Sequence, residues 1–155
     1  MGGSVMDRNQ MHRQVANIRK SLFDQGYLDE QFILLEELQD SSNPSFVEEV
    51  VTLYYRDSAR FLYNLDQALE KRPLDFSKLD SLMHQFKGSS TSIGAKKVKV
   101  ECSHFKDYCN ARNAEGCKRT FQHVKKEYTT LKKKLEAYFQ MSRQVGPVHT
   151  ACRPR

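Results

Sequence analysis

The sequence predicts an all-α protein, an antiparallel four-helix bundle with two additional N-terminal helices. Apolar residues recur at steps of three and four along most of the chain, whereas strand-like alternation is almost absent. The breaks between the periodic segments are short and polar, which favours antiparallel packing of consecutive helices. With 155 residues, 39% of them hydrophobic, the chain is long enough to bury one core without metals or disulfides.

The first two predicted helices cover one side of the bundle. The first ends near residues 24–26, and its apolar stripe consists of Met11, Val15, Ile18 and Leu22. The second begins after Asp29, because aspartate is a common helix N-cap. Its apolar stripe consists of Phe32, Leu35 and Leu38.

Helices three and four form the first half of the bundle. A polar break at 40–44 precedes helix three, and we expect Asn43 as its N-cap with Pro44 at the first helical position. The apolar register then runs from 46 to 68. Helix four opens at an Asp75 cap and ends at Gly94, since glycine readily adopts the positive φ of a helix end.

Helices five and six complete the bundle, with a turn at 111–114 between them. Their stripes are Val98, Cys102, Phe105 and Cys109, then Cys117, Phe121, Val124, Tyr128, Leu131, Leu135 and Tyr138. The apolar stripe of helix six is also compatible with a coiled-coil dimer, but it extends over only about three heptads. We therefore expect a monomer, with one domain over 1–145 and a disordered basic tail over 146–155.

Composition and cysteine usage predict a soluble intracellular protein. No segment approaches the roughly 18 continuous apolar residues of a membrane span, and no apolar leader follows the first residues. Cys102, Cys109 and Cys117 fall on apolar stripes and are expected in the core, since their spacing fits no metal or redox motif. Cys152 is expected to be exposed in the polar tail.

The net charge of +6 is distributed unevenly. Residues 24–57 hold nine acidic side chains and one basic one, whereas residues 96–136 hold twelve basic and five acidic ones. A nucleic-acid binder is one interpretation of this basic region, but no recognition motif accompanies it. A solvated helix face is the simpler explanation, and the same charge is suited to steering an acidic partner.

His84 is the candidate functional residue because a helical register turns it away from the apolar face. A lone histidine is often only a surface or packed side chain, since an ordinary imidazole proves nothing by itself. Here Lys87 adds a positive charge beside it, and Gly88 lies one turn away despite the cost of glycine within a helix. The three residues together indicate a histidine that handles phosphate.

Segment 84–95 reads HQFKGSSTSIGA and closely resembles the signature of plant-type histidine-containing phosphotransfer proteins. The resemblance extends over residues 7 to 142 and includes segments 96–99, 115–117 and 127–128 and the cysteines of helix five. Thr91 and Phe86 stand where the family is expected to have serine and leucine. Family members that lack the histidine cannot carry phosphate, and this chain has it.

The resemblance implies a relay in which His84 accepts a phosphoryl group from a receiver-domain aspartate and passes it to another. Lys87 would offset the phosphoryl charge, Gly88 would let the partner approach, and Gln85 or Thr91 would supply hydrogen bonds. No cofactor or bound metal is expected, because Asp80 is the one carboxylate predicted near His84 and the receiver would supply the ion. The chain also lacks nucleotide-binding motifs, so we expect no autokinase activity.

The expected partners are receiver domains of hybrid histidine kinases and of response regulators, rather than nucleic acid or membrane. On helix two, Gln31 and Leu35 are candidate partner contacts, with a core position for Leu35 as the alternative. The resemblance further implies cytokinin signalling and a cytoplasmic and nuclear location. The rival functions are a receiver-binding adaptor that carries no phosphate and, from the charge alone, a basic nucleic-acid binder.

Overall fold

The computed structural model describes residues 7–146, and all regular secondary structure in that range is helical. The predicted all-α bundle with two additional N-terminal helices is confirmed. Residues 147–155 of the expected tail, including Cys152, lie outside the described residues. The helices are α1 (Arg8–Asp24), α2 (Glu30–Leu38), α3 (Phe46–Glu70), α4 (Phe76–Ile93), α5 (Lys96–Asn110) and α6 (Ala114–Val145).

Helices α3 to α6 form the antiparallel bundle. Helix α4 packs against both α3 and α5, and α6 packs against α5 and α3. The hydroxyl groups of Tyr54 and Ser90 lie 2.8 Å apart between α3 and α4. The sulfur atoms of Cys109 and Cys117 lie 3.7 Å apart where α5 ends and α6 begins. No helix within residues 7–146 is long and apolar enough to span a membrane.

An aromatic cluster at the centre of the bundle fixes the rotation of α4. Phe86 is fully buried, and its ring centroid lies 6.3 Å from that of Tyr54, 6.0 Å from that of Phe61 and 6.0 Å from that of Tyr128. Full burial of a phenylalanine side chain contributes about 1.5–3 kcal/mol. Turning α4 so that another face met the core would forfeit these contacts, so the opposite face stays in solvent.

The three cysteines of α5 and α6 also belong to this core. Cys102, Cys109 and Cys117 are buried and free, as the sequence predicted. At the far end of α6 the stripe departs slightly from the prediction, because Phe139 is buried and Tyr138 is only partly buried.

Helix α2 is tied to the C-terminal end of α4. Asp29 caps α2 as predicted, by accepting a hydrogen bond from the Gln31 backbone, and its own N–H donates to the Gly94 carbonyl over 3.0 Å. Gly94 has φ +77°, and a Cβ there would lie 2.6 Å from Asp29 Oδ1. The link between α1 and α2 therefore packs directly against the link between α4 and α5, and glycine permits both the conformation and the contact.

Helix α1 packs against α6 and is joined to α2 by an ion pair. Arg19 donates to both carboxylate oxygens of Glu36, over 2.9 and 2.6 Å. The N-terminus of α1 is closed by a capping box between Asp7 and Gln10. The first two helices thus lie next to each other on the bundle, with α1 packed on α6 and α2 packed on α3 and α4.

The expected start of helix three was wrong. Helix α3 begins at Phe46, so neither Asn43 nor Pro44 holds the position that the sequence suggested. The Asn43 side chain instead accepts from the Asp40 backbone over 3.0 Å, which closes a local turn. The Val47 N–H, which an N-cap would have satisfied, donates to Gln39 Oε1 over 3.0 Å.

Candidate functional site

His84 lies on the exposed outer face of α4, as its register predicted. Met83 and Phe86, its neighbours along the helix, are 1% and 0% exposed and point into the core. Among residues 7–146, no side chain or backbone group forms a hydrogen bond or ion pair with the His84 ring. Its ring nitrogens are therefore accessible to a group brought by another molecule.

Lys87 follows His84 by three residues, which places the two on adjacent positions of the same helix face. Its side chain is partly buried and close enough to α5 to act on Cys102. Burial raises the pKa of the Cys102 thiol to about 12, and the Lys87 ammonium opposes that rise. No carboxylate in the described part of the chain pairs with Lys87.

Gly88 lies one turn beyond His84 and is exposed. A Cβ added there would meet no atom within 4 Å, apart from its own helix backbone and chain neighbours. The fold therefore does not require glycine at this position, although glycine within a helix costs about 1 kcal/mol relative to alanine. The space that glycine leaves open lies outside the chain, next to the imidazole.

Gln85 and Thr91 are both exposed on α4, but they are not equally available. The Thr91 hydroxyl donates to the Lys87 carbonyl over 2.8 Å, so only its lone pairs remain for a partner. The Gln85 amide makes no hydrogen bond within residues 7–146. Gln85 is thus the freer donor of the two.

Asp80 precedes His84 by one turn and is engaged by α5. Lys106 Nζ lies 3.1 Å from its Oδ1 and 3.3 Å from its Oδ2. Within the described residues, no group of three or more histidine, cysteine, aspartate or glutamate side chains is arranged to hold a metal ion.

Helix α2 borders α4 and presents more apolar surface than the sequence suggested. Gln31 is partly buried and its amide donates to the Ser92 carbonyl over 3.4 Å, so it lies beside the C-terminal end of α4. Leu35, in contrast, is only 8% exposed and packs in the core, which corrects its assignment as a partner contact. The exposed apolar side chains of α2 are Ile33, Leu34 and Leu38.

These three residues were missed because the helix was assigned a single apolar stripe. Leu38 was placed on that stripe, yet it is 62% exposed. The signal was the excess of apolar residues in so short a helix, which favoured Leu35 as a partner contact, whereas the exposed apolar positions are these three. We call Ile33, Leu34 and Leu38 the α2 apolar surface.

The basic region at 96–136 is largely engaged by the protein itself. Lys97 and Lys134 lie 4.1 and 5.3 Å from the centroid of the Tyr27 ring, and Lys132 lies 5.3 Å from that of Tyr55. Lys99 pairs with Asp29 over 2.7 Å. These contacts favour the interpretation of a solvated basic face over a nucleic-acid interface.

Comparison with known proteins places the chain among plant phosphotransfer proteins. A family profile for the Hpt domain matches residues 49–134. Histidine-containing phosphotransfer protein 4 of Arabidopsis thaliana is 66% identical over 128 residues, which cover 83% of this chain and 99% of that protein. Pseudo histidine-containing phosphotransfer protein 2 of Oryza sativa subsp. japonica is 58% identical over 142 residues, covering 92% and 94% of the two chains.

Solved structures show the same architecture. A histidine-containing phosphotransfer protein from Medicago truncatula superposes with a TM-score of 0.83 at 42% identity, covering 93% of this chain and 96% of its own. One from maize superposes with the same TM-score of 0.83 at 38% identity, covering 88% and 99%. The chain therefore belongs to the histidine-containing phosphotransfer family, whose members are carriers in two-component phosphorelays.

Proposed function

We propose that this chain carries a phosphoryl group on His84, taking it from the receiver domain of a hybrid histidine kinase and passing it to that of a response regulator. The observation that carries the proposal is an exposed imidazole without a partner in residues 7–146, beside Lys87 and an open space at Gly88. Relatives named histidine-containing phosphotransfer proteins and relatives named pseudo histidine-containing phosphotransfer proteins are similarly close to this chain in sequence. The histidine at position 84 is therefore stronger support for carrying a phosphoryl group than the overall sequence identity to relatives is.

The chemistry needs only a neutral imidazole. One ring nitrogen attacks phosphorus, so that a P–N bond forms while the P–O bond to the aspartyl carboxylate breaks and that carboxylate leaves. The proton on the other nitrogen is released to solvent. A histidine is substantially neutral near pH 7, so no general base is required, and the reverse sequence delivers the group to the next aspartate.

Lys87 and Gly88 serve this transfer in different ways. Lys87, three residues from His84 on the same helix face, offsets negative charge that develops at the ring. Gly88 allows the acidic pocket of the partner to approach the ring closely. Gln85 supplies a hydrogen bond from the rim, and Thr91 accepts one.

We assign receiver docking to the α2 apolar surface together with the face of α4 around His84. Ile33, Leu34 and Leu38 are 37%, 50% and 62% exposed, and α2 packs beside α4. Exposed apolar side chains that are grouped on one short helix are typical of a protein interface. Gln31 connects the two helices by its hydrogen bond to the Ser92 carbonyl.

The pathway that we propose is cytokinin signalling in a plant, with the chain acting as a monomer in cytoplasm and nucleus and without autokinase activity. The support is the likeness to plant relatives and the absence of a nucleotide-binding motif from the sequence. We propose no nucleic-acid or membrane partner, because so many basic side chains have partners within the chain.

The direct test is phosphoryl transfer from a phosphorylated receiver domain in the presence of magnesium. Wild-type protein is expected to acquire acid-labile, alkali-stable phosphate. His84→Gln, which keeps a polar side chain of similar length at an exposed position, is expected to acquire none and to retain the helical circular dichroism spectrum. A matched control is His104→Gln, which changes an exposed histidine on α5 and is expected to acquire phosphate as wild type does.

Transfer to His84→Gln, or failure of the wild type to accept phosphate from several receivers that it binds, would contradict the proposal. The second outcome would identify a receiver-binding adaptor. Binding of duplex DNA that weakens steeply with salt and is indifferent to position 84 would instead support a nucleic-acid binder.

A further inference from the structure

The ion pair between Asp80 and Lys106 lies one turn from His84 and has no part in the transfer described above. Both carboxylate oxygens of Asp80 lie within 3.3 Å of the Lys106 ammonium. Asp80 is on α4 and Lys106 is on α5, so the contact crosses between two helices that pack together. The two side chains are 34% and 49% exposed, respectively.

Helix geometry places the Asp80 side chain within reach of His84. Residues four apart lie about 5–6 Å apart at Cβ, and they form ion pairs when their charges are opposite. In this structure Asp80 pairs with Lys106, and the His84 ring has no partner among residues 7–146. Lys106 thus pairs with the Asp80 carboxylate, which helix spacing would otherwise bring closest to the His84 imidazole on α4.

Several charged groups on the helices around α4 have partners of their own. Lys99 of α5 pairs with Asp29, Asp57 and Arg60 of α3 pair with each other over 3.4 Å, and Glu36 of α2 pairs with Arg19. On α4 itself, Lys87 follows His84 by three residues. The Asp80 carboxylate, one turn from His84 on the same helix, is the acidic group that helix spacing brings next to the ring.

We propose that Lys106 is a positioning residue for His84: its ammonium holds the Asp80 carboxylate towards α5, so that the imidazole keeps no acidic partner. This inference rests on the proposed phosphoryl transfer. A carboxylate released from Lys106 would accept a hydrogen bond from the protonated ring and favour that form, which has no lone pair for attack on phosphorus. It would also place negative charge where the phosphoryl group must arrive.

The test is a double-mutant cycle with two readouts, the NMR titration of the His84 ring and the pH profile of phosphoryl acceptance. In Lys106→Ala the titration midpoint of His84 is expected to rise by about half a unit, as for an exposed ion pair. Acceptance is expected to fall about twofold near the wild-type midpoint and to recover at higher pH, where the ring is neutral in both proteins. Lys106→Arg, which keeps the cation, is expected to behave as wild type.

Adding Asp80→Asn decides between positioning and direct contact. The double variant Asp80→Asn, Lys106→Ala is expected to regain the wild-type midpoint and the wild-type rate, because no carboxylate remains to pair with the ring. A matched control is Lys20→Ala, which removes an ammonium from an exposed ion pair on α1 and is expected to change neither readout.

An unchanged midpoint in Lys106→Ala, or a loss of acceptance that Asp80→Asn does not restore, would overturn the inference and make Lys106 a direct contact for phosphate or receiver. Failure of the proposed function is distinguishable, because wild-type protein would then accept no phosphate at all. The titration measures the ring without any transfer, so it still reports whether Lys106 controls Asp80.

Discussion

A glycine within a helix costs about 1 kcal/mol relative to alanine, and α4 carries one beside His84. Because a Cβ at Gly88 meets no atom within 4 Å, Gly88→Ala is expected to stabilise the protein by about 0.5–1 kcal/mol. Phosphoryl acceptance is expected to fall several-fold, since the added methyl group occupies space needed by the partner. Urea unfolding and the transfer assay measure the two effects on the same preparation.

Two alanine variants control that experiment. Gln140→Ala changes an exposed residue of α6, a helix whose backbone makes no close contact with that of α4, and is expected to leave transfer unchanged. Gly116→Ala is expected to change stability in the opposite direction, by roughly 1–3 kcal/mol, because its Cβ would lie 2.1 Å from Tyr108 Cδ1. If Gly88→Ala lost stability as Gly116→Ala does, or kept full transfer, the role of Gly88 in partner approach would be contradicted.

At the scale of the element, α2 separates core from docking surface within a few residues. Leu35→Ala is expected to destabilise the protein by about 2–5 kcal/mol, because its side chain is 8% exposed and packs in the core. The paired substitution of Leu34 and Leu38 by serine is expected to cost little stability, since those side chains are 50% and 62% exposed. The same pair is expected to weaken binding to a receiver domain roughly tenfold.

Calorimetric titration of wild type and both variants with an unphosphorylated receiver distinguishes these roles. Leu35→Ala is measured well below its unfolding temperature and is expected to bind as wild type. Undiminished binding by the Leu34 and Leu38 variant would rule out the α2 apolar surface as the docking site.

Helix existence and register could be predicted from the sequence because one face of each helix must enter a common core. The positions of Asp29, Asp75 and Gly94 at helix ends were also predictable, since each depends on hydrogen bonds or backbone angles within a few residues. The outward direction of His84 was predictable for a similar reason, because it follows from the burial of Phe86, two residues away on the same helix.

What could not be predicted depends on contacts between segments. The start of α3 was wrong because the Asn43 side chain closes a local turn with the Asp40 backbone, and the Val47 N–H finds its acceptor in Gln39, eight residues earlier in the chain. Leu35 and Leu38 could not be separated by periodicity alone, since both are apolar and near the edge of the same stripe. The pairing of Asp80 with Lys106 likewise needs the packing of α4 against α5.

On the scale of the whole molecule, α4 separates an acidic side from a basic side. Helix α2 and the N-terminal part of α3 lie in the acidic region 24–57, and the rest of α3 directly follows that region. Helix α5 and most of α6 lie in the basic region 96–136. Because α4 packs against both α3 and α5, the charge changes sign across the helix that carries His84. Such a gradient favours one orientation of an acidic receiver pocket during encounter, with that pocket turned towards α5.

Buried tyrosines make the stability of the whole bundle sensitive to alkali. Burial raises the pKa of Tyr128 to about 12 and raises that of Tyr54 as well. An unfolded tyrosine ionises near pH 10, so above that pH the unfolded chain loses protons that the folded protein keeps. The stabilisation is complete below about pH 10 and is lost as the pH rises, at about 1.4 kcal/mol per pH unit for each such tyrosine.

Tyr54→Phe tests this linkage. At about pH 7.5 the variant is expected to be less stable by about 1 kcal/mol, because it loses the hydrogen bond to the buried Ser90 hydroxyl. Between about pH 10 and pH 11.5 its free energy of unfolding is expected to fall less steeply than that of wild type, because one titrating group is gone. Urea unfolding followed by circular dichroism gives both slopes, and Tyr63→Phe, at a side chain 64% exposed, is expected to keep the wild-type slope. Equal slopes for Tyr54→Phe and wild type would mean that Tyr54 ionises alike in the folded and unfolded chain. The alkaline loss of stability would then have to arise from other buried groups, such as Tyr128 and Cys102.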